Sequence, residues 1–201
     1  MVDDAEPENI CEEDQLRANW YGLLARLLSV PPDEATLAMV RRLDGDDTEL
    51  GKAIATLAAA ARGTTPEAVK EEHFNLFIGV GRGELLPFAS YYLTGFLHEK
   101  PLARLRGDMA RLGIGRGDDL KEPEDHIGAL CEMMSGLITG SFGAPADLAS
   151  QRQFFDAHIA NWAPRFFEDL QAAKTAAFYM PVGRIGRLFM AIESQAFEMA
   201  A

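Results

Sequence analysis

Glu122-Pro123-Glu124-Asp125-His126 joins a glycine-spotted loop, residues 113–119, to an apolar periodic run that starts at Ile127. Proline is tolerated in the first turn of a helix, where its missing N–H would have no partner anyway. The stretch therefore predicts a helix start, with Glu122 near the N-cap and two acidic residues in the first turn, where the helix dipole favours negative charge. His126 adds a titratable group to this acidic cluster. A binding role therefore stays open beside the purely structural one.

Apolar residues on both sides of this stretch recur at intervals of three and four, the spacing that predicts amphipathic helices. The broadest stripes span residues 16–28, 50–61, 102–112, 127–138 and 185–192. Asp33 is expected to cap a short helix, Thr65 to begin one that runs through Phe77, and the last helix to begin at about Pro181. No alternating strand pattern with hairpin chemistry occurs. We predict an all-α, single-domain bundle of roughly eight to ten helices.

Composition and charge narrow the functional classes. The 201 residues carry a net charge of −12, of which residues 1–14 supply −7 with no basic residue, leaving −5 for the rest. Such a balance argues against a nucleic-acid partner and suits a cationic peptide. Residues 1–11 are expected to be a disordered acidic tail and residues 12–201 the folded domain. With no signal peptide and no apolar run of about 18 residues, we expect a cytoplasmic protein without stable membrane insertion.

Motifs for catalysis, metals and phosphates are missing from the sequence. The glycine loop at 79–83 lacks the P-loop lysine and a preceding strand, and it marks an inter-helix connection instead. None of the four histidines follows a glutamate by three residues, so the pattern of a di-iron bundle does not occur. Asp125 and His126 are adjacent and would not face each other on a helix. We therefore expect no catalytic residue, no metal and no cofactor.

Binding chemistry is better supplied. Aromatic and apolar side chains gather around the glycine loop, and the segment 85–88 lies in or beside a loop, where apolar side chains often mark a recognition groove. Next to an acidic helix start, such a groove would suit a peptide with adjacent arginines and an apolar tail.

Three segments together resemble the TorD/DmsD/NarJ family of molybdoenzyme chaperones. Residues 76–79 followed by 87–92 resemble its L-F-x-G … P-x-x-S-x-Y stretch, and residues 122–126 resemble its E-P-x-D-H motif. Residues 154–162 and then Phe178-Tyr179 resemble its C-terminal aromatic pattern. The chain departs from the family at Phe88-Ala89, where Tyr-Glu is frequent, and residues 1–60 match only as generic amphipathic helices.

The resemblance implies a TorD-like fold and a non-catalytic chaperone. Such a protein binds the apo form of a molybdopterin oxidoreductase, of the formate dehydrogenase or DMSO/TMAO reductase type, and often its twin-arginine signal peptide. It assists cofactor insertion and delays export. The peptide-binding residues implied here are Leu76, Phe77, Pro87, Phe88, Tyr91, Glu122, Pro123, Glu124, Asp125 and His126. Our hypothesis is that Asp125, helped by Glu124, receives the arginines, and that Phe77, Pro87 and Phe88 accept the apolar segment.

Two other classes of function stay open: a small helical enzyme or nucleotide-binding protein that uses Asp125 and His126, and a structural helical adaptor. The glycine-rich connections at 79–83 and 113–117 have few anchoring side chains, so helices on either side could exchange between protomers. We therefore predict a monomer in equilibrium with a minor domain-swapped dimer.

Overall fold

The structure, a computed structural model, describes residues 10–115 and 122–200. Within these ranges the backbone forms ten α-helices, and its β-type pairing is a single isolated bridge between Phe88 and His126. The all-α prediction is confirmed. The helices are α1 Glu12–Ser29, α2 Glu34–Val40, α3 Glu49–Arg62, α4 Pro66–His73, α5 Ala89–Thr94, α6 Lys100–Arg111, α7 Ile127–Thr139, α8 Leu148–His158, α9 Ala163–Ala172 and α10 Tyr179–Met199. None of these helices is both long and apolar enough to cross a bilayer.

Local sequence chemistry explains most of the helix starts. The Asp33 side chain accepts a hydrogen bond from the Thr36 N–H at 2.8 Å, and the Thr65 hydroxyl accepts one from the Ala68 N–H at 3.3 Å. Both caps were predicted, because short polar side chains satisfy the free N–H groups of a first helical turn. The last helix begins at Tyr179, two residues before the expected Pro181.

The predicted continuous helix through Phe77 is wrong in one respect. After His73 the backbone changes to a π-helical turn over Phe74–Ile78 and ends at Gly79. Gly79 has φ of 62° and Gly83 packs against the backbone of Phe77, so this loop folds tightly back on the turn before it. The glycines are thus required by backbone packing, which agrees with the predicted connection between helices.

α7 lies at the centre of the bundle. Nine of its 13 residues are buried, and α1 packs along it. The Ser135 hydroxyl of α7 donates to the Ala18 carbonyl oxygen of α1 at 3.0 Å, and the Gly22 position on α1 lies beside the same hydroxyl. Because α7 is covered on almost every side, its N-terminus is fixed by the whole core. Residues 122–126, which directly precede α7, are therefore fixed in place at their C-terminal end.

The two ends of the described chain are joined by a buried ion pair, which we call the α1–α10 clasp. The Arg17 guanidinium donates to both carboxylate oxygens of Glu193 at 2.8 and 2.9 Å, and the Tyr21 hydroxyl donates to Glu193 at 3.0 Å. The Glu193 side chain is 1% exposed, so its charge is balanced by these donors rather than by water. The predicted tail at 1–11 lies mostly outside the described residues, as does part of the 113–117 connection.

Candidate functional site

The segment Glu122–His126 lies where the N-termini of α5 and α7 meet. The Ala89 N–H donates to the Asp125 carbonyl oxygen at 3.0 Å, and the Ile127 N–H donates to the Pro87 carbonyl oxygen at 2.9 Å. These two bonds pair the chain around Phe88 with the chain around His126. The Phe88 and His126 rings stack edge-to-face, with centroids 5.2 Å apart. Two motifs that are 35 residues apart in sequence therefore form one structural unit.

Asp125 caps a helix other than the one it precedes. Its side chain is buried, and its Oδ2 accepts a hydrogen bond from the Ser90 N–H at 2.7 Å, in the first turn of α5. The carboxylate thereby satisfies a free N–H of α5 and faces the positive end of that helix. Its Oδ1 is buried and has no hydrogen-bond partner among the described residues. Asp125 is therefore directed into the protein rather than towards a ligand in solvent.

His126 is the N-cap of α7, and its Nδ1 accepts a hydrogen bond from the Gly128 N–H at 3.1 Å. This bond requires an unprotonated Nδ1, which leaves Nε2–H as the donor of the neutral ring. Burial, with a smaller contribution from the neighbouring His73, lowers the pKa of His126 to about 4. At neutral pH the ring is uncharged, so it contributes a hydrogen bond to the site and no positive charge.

The expected helix start at Glu122 is wrong, although His126 does lie at a helix N-terminus as predicted. α7 begins at Ile127, and residues 122–125 form a turn in which the His126 N–H donates to the Pro123 carbonyl oxygen at 3.1 Å. The pairing with the Phe88 segment holds His126 in an extended conformation, with ψ of 137°. A helix cannot continue back through an extended residue, so the acidic residues lie before the helix.

Three carboxylates line a cleft of about 90 Å³ beside this turn, which we call the acidic cleft. Glu122 and Glu132 of α7 are exposed, whereas Glu124 is buried. Glu124 is paired with Arg106 of α6, with Nη2 and Oε2 2.8 Å apart. The hydrogen bond to Glu124 also raises the pKa of the Arg106 guanidinium. His126 contributes to the wall of the same cleft.

The apolar residues among the predicted peptide-binding residues at positions 76–91 lie outside the acidic cleft. Leu76, Pro87 and Phe88 are buried, while Phe77 and Tyr91 are half-buried. Leu76 and Phe77 belong to the π-helical turn, and the Phe77 ring packs edge-to-face on the Tyr179 ring at 5.4 Å. Buried side chains hold the turn and α5 in place. Direct contact of these residues with a peptide remains a prediction.

Tyr91 fixes the glycine loop to α5. Its hydroxyl accepts a hydrogen bond from Arg82 at 2.5 Å, and the guanidinium lies over the ring, 5.1 Å from the centroid. Such a contact combines a hydrogen bond with cation–π attraction. The loop is therefore anchored at one side of the Phe88–His126 unit.

The site residues give little support to metal or acid–base chemistry. Asp125 and His126 both use their side chains as helix caps, as their hydrogen bonds show. Among the residues that the structure describes, no group of three or more metal-ligating side chains converges. A second buried histidine, His158, lies 2.7 Å from Asp108, and burial together with the nearby Arg104 and Arg111 lowers its pKa to about 4.

Glu132 and Arg106 were missed at the level of sequence. Glu132 is the one charged residue in the apolar stretch 127–138, and that exception was the available signal. Arg106 gave no signal, because its pairing with Glu124 depends on how α6 lies against the turn.

Comparison with known proteins gives consistent results. The family model described as "Nitrate reductase delta subunit" matches residues 43–168. The chaperone protein TorD of Vibrio atlanticus (strain LGP32) is 30% identical over 129 residues, which is 60% of each chain. The TorD chaperone of Vibrio parahaemolyticus is 26% identical over 127 residues, 59% of each chain. The matched region thus spans about 60% of the length of these curated relatives.

A solved structure has the same overall architecture. A protein of Archaeoglobus fulgidus, described as a candidate redox enzyme maturation protein, superimposes with a TM-score of 0.60 over 92% of this chain and 99% of its own. The two sequences are 21% identical, so this similarity concerns the fold.

Proposed function

The chain belongs to the nitrate reductase delta subunit family, and from that membership we propose that it is a chaperone for the apo form of a molybdopterin oxidoreductase. The family expected from the TorD-like motifs is thereby confirmed. The proposed client is an enzyme of the formate dehydrogenase or DMSO/TMAO reductase type, bound in the cytoplasm through its twin-arginine signal peptide. The chaperone holds the client ready for cofactor insertion and delays its export, without catalysing a reaction itself.

The observation that carries the proposal is the acidic cleft. Glu122 and Glu132 are its exposed carboxylates, and the third, Glu124, is buried. Neighbouring arginines of a peptide would find carboxylates for charge-assisted hydrogen bonds here, in a protein whose net charge is −12. The neutral His126 in the cleft wall adds no repulsion to a cation.

This proposal changes the roles expected for the motif residues. Glu122 and Glu132 receive the arginines, and Glu124 contributes as far as its pairing with Arg106 permits. Asp125 acts as a positioning residue, since its carboxylate holds the N-terminus of α5 against the turn. Pro123 and His126 give the cleft its shape, and the buried Phe88 supports His126 from behind.

The test is a calorimetric titration of the protein with a synthetic twin-arginine signal peptide. Glu122→Gln and Glu132→Gln should each weaken binding about threefold to tenfold, and the double variant more, because each removes one charge-assisted contact. Glu198→Gln serves as the matched control: it removes an exposed carboxylate from α10, away from the cleft. Replacing both peptide arginines by glutamine should abolish the difference between the variants.

Salt provides a second readout. Raising the ionic strength from 0.05 to 0.5 M shortens the Debye length to a few ångströms, so an ionic contact weakens. The affinity of the wild type should fall more steeply with salt than that of the double glutamine variant. Equal affinities for the arginine and glutamine peptides would contradict the proposal.

A further inference from the structure

Two clefts lie along α1, outside the motifs that defined the acidic cleft. One, of about 500 Å³, is lined by the outward stripe of α1, by Met39 at the end of α2, by Leu43 after it and by Ser135 of α7. The α1 stripe consists of Leu16, Asn19, Trp20, Leu23 and Arg26. Counted from Leu16, the other four lie three, four, seven and ten residues further on, so all five occupy one face of the helix.

This cleft continues into the acidic cleft. A neighbouring cleft of about 460 Å³ shares Gly22, Arg26 and Ser135 with the first. It shares Ser29 and Glu132 with the acidic cleft. We call the two clefts along α1 the α1 groove. From Leu16 to Ser29 it follows about 20 Å of helix, at 1.5 Å per residue.

The chemistry of the surface changes along this path. At the far end the lining is apolar: Leu16 is 57% exposed and Met39 38% exposed, while Trp20, Leu23 and Leu43 are half-buried. At the near end the lining is acidic. Exposed apolar side chains that are bordered by polar residues are a common feature of interaction sites.

The floor of the groove is set by the close packing of α1 and α7. The hydrogen bond from Ser135 to Ala18 draws the helices together beside Gly22, which has no side chain to fill the space. The groove thus borders the most extensive helix–helix contact among the described elements. It does not depend on a side chain moving aside.

We propose that the α1 groove binds the apolar segment of a client peptide whose basic end lies in the acidic cleft. This rests on the proposed function, and it replaces the expectation that Phe77, Pro87 and Phe88 accept that segment. Charge complementarity gives the direction: the cationic end belongs beside Glu122 and Glu132, and the apolar residues follow along α1 towards Leu16. The occupant is a segment with adjacent basic residues, then several large apolar side chains within about 20 Å. Arg26, at the junction, presents a donor to main-chain carbonyls of the peptide.

Tryptophan fluorescence reports on the groove directly. The chain has two tryptophans; Trp20 lines the groove, whereas Trp162 is buried and donates to the His158 carbonyl oxygen at 2.7 Å. A peptide lying in the groove should cover Trp20 and shift the emission to shorter wavelength. The shift should disappear in Trp20→Phe, and it should not occur with a peptide whose apolar residues are replaced by serine.

Affinity measurements separate the groove from the acidic cleft. Leu16→Glu and Met39→Glu should together weaken the complete peptide about tenfold or more, by removing apolar contact, and leave the serine-substituted peptide unaffected. The matched control is Ile192→Glu, which places the same charge at an exposed apolar position of α10. Glu122→Gln should lower affinity without changing the emission shift at saturation.

The outcomes are distinguishable. If the complete peptide binds the Leu16 and Met39 variants as tightly as the wild type, with no emission shift, the groove proposal is wrong and the acidic cleft stands. If no arginine peptide binds the wild type, both proposals fail. If the protein alone self-associates with concentration and Leu16→Glu stops this, the groove is a contact between two copies, and the peptide proposal is overturned.

Discussion

Replacing Asp125 by alanine should lower the free energy of unfolding by about 2 kcal/mol, through the loss of one hydrogen bond. The Ser90 N–H is buried, and Asp125 Oδ2 is its acceptor at 2.7 Å. Leaving a buried donor without a partner costs about 1–3 kcal/mol. The carboxylate also faces the N-terminus of α5, which adds a favourable dipole contribution. Removal of the unpartnered Oδ1 offsets part of this loss, since burial of that oxygen is itself unfavourable.

The measurement is urea unfolding followed by circular dichroism, with Asp125→Asn as the matched control. Asparagine keeps an oxygen in place for the Ser90 N–H, so its loss should be less than half of that for alanine. The slope with urea should stay unchanged, because neither variant alters the surface exposed on unfolding. If Asp125→Ala unfolded at the same urea concentration as the wild type, the capping role would be refuted. A loss of peptide affinity in Asp125→Asn with unchanged stability would instead contradict the proposed positioning role, because that pattern is expected of direct contact between Asp125 and an arginine.

Two further predictions concern buried charge. As pH falls from about 6.5 to about 4, the unfolded chain binds a proton at His126 that the folded chain does not, so the free energy of unfolding falls by up to about 1.4 kcal/mol per pH unit. His126→Gln should flatten this pH dependence in urea titrations at pH 7, 6 and 5, while His158 contributes equally to both proteins. Identical pH dependence in the two proteins would contradict the burial of His126. Arg17→Ala should destabilise the fold by about 3 kcal/mol, because Glu193 is left buried with Tyr21 as its remaining donor. Adding Glu193→Gln should recover part of this loss in thermal melting. If the second substitution instead causes a further, additive loss, the buried carboxylate is not the cause.

The helices and several caps could be predicted because they depend on neighbours in sequence. Asp33 and Thr65 bond to N–H groups three residues ahead, and α7 shows its apolar period directly. The start of α7 could not be placed, since Asp125 and His126 pair with residues about 35 positions earlier. A sequence pattern that favours a helix start is overridden here by tertiary hydrogen bonds.

The same distinction between local sequence effects and tertiary packing applies to the candidate site. The acidic residues before His126 were expected at the site because charge clusters are visible in sequence; Glu122 and Glu124 line a cleft, whereas Asp125 is buried as the cap of α5. The apolar loop 85–88 was expected at the surface, but Pro87 and Phe88 are buried beneath α5 and α7. Conversely, Leu16 belongs to the apolar stripe that predicted an amphipathic helix over residues 16–28, yet it is more than half exposed. Periodicity identifies an apolar face and does not say how much of it a neighbour covers.

The α1–α10 clasp also determines when this chain can finish folding. Arg17 and Glu193 are 176 residues apart, and α7, against which α1 packs, begins only at Ile127. At about 5–20 residues per second, synthesis of the intervening chain takes on the order of 10–35 s. Most of the stability of an amphipathic helix such as α1 comes from tertiary packing of its apolar face. Until α7 has been made, the apolar side of α1 lacks its main partner in the fold, so a protein proposed to protect unfinished enzymes is itself exposed to aggregation while its own chain is unfinished.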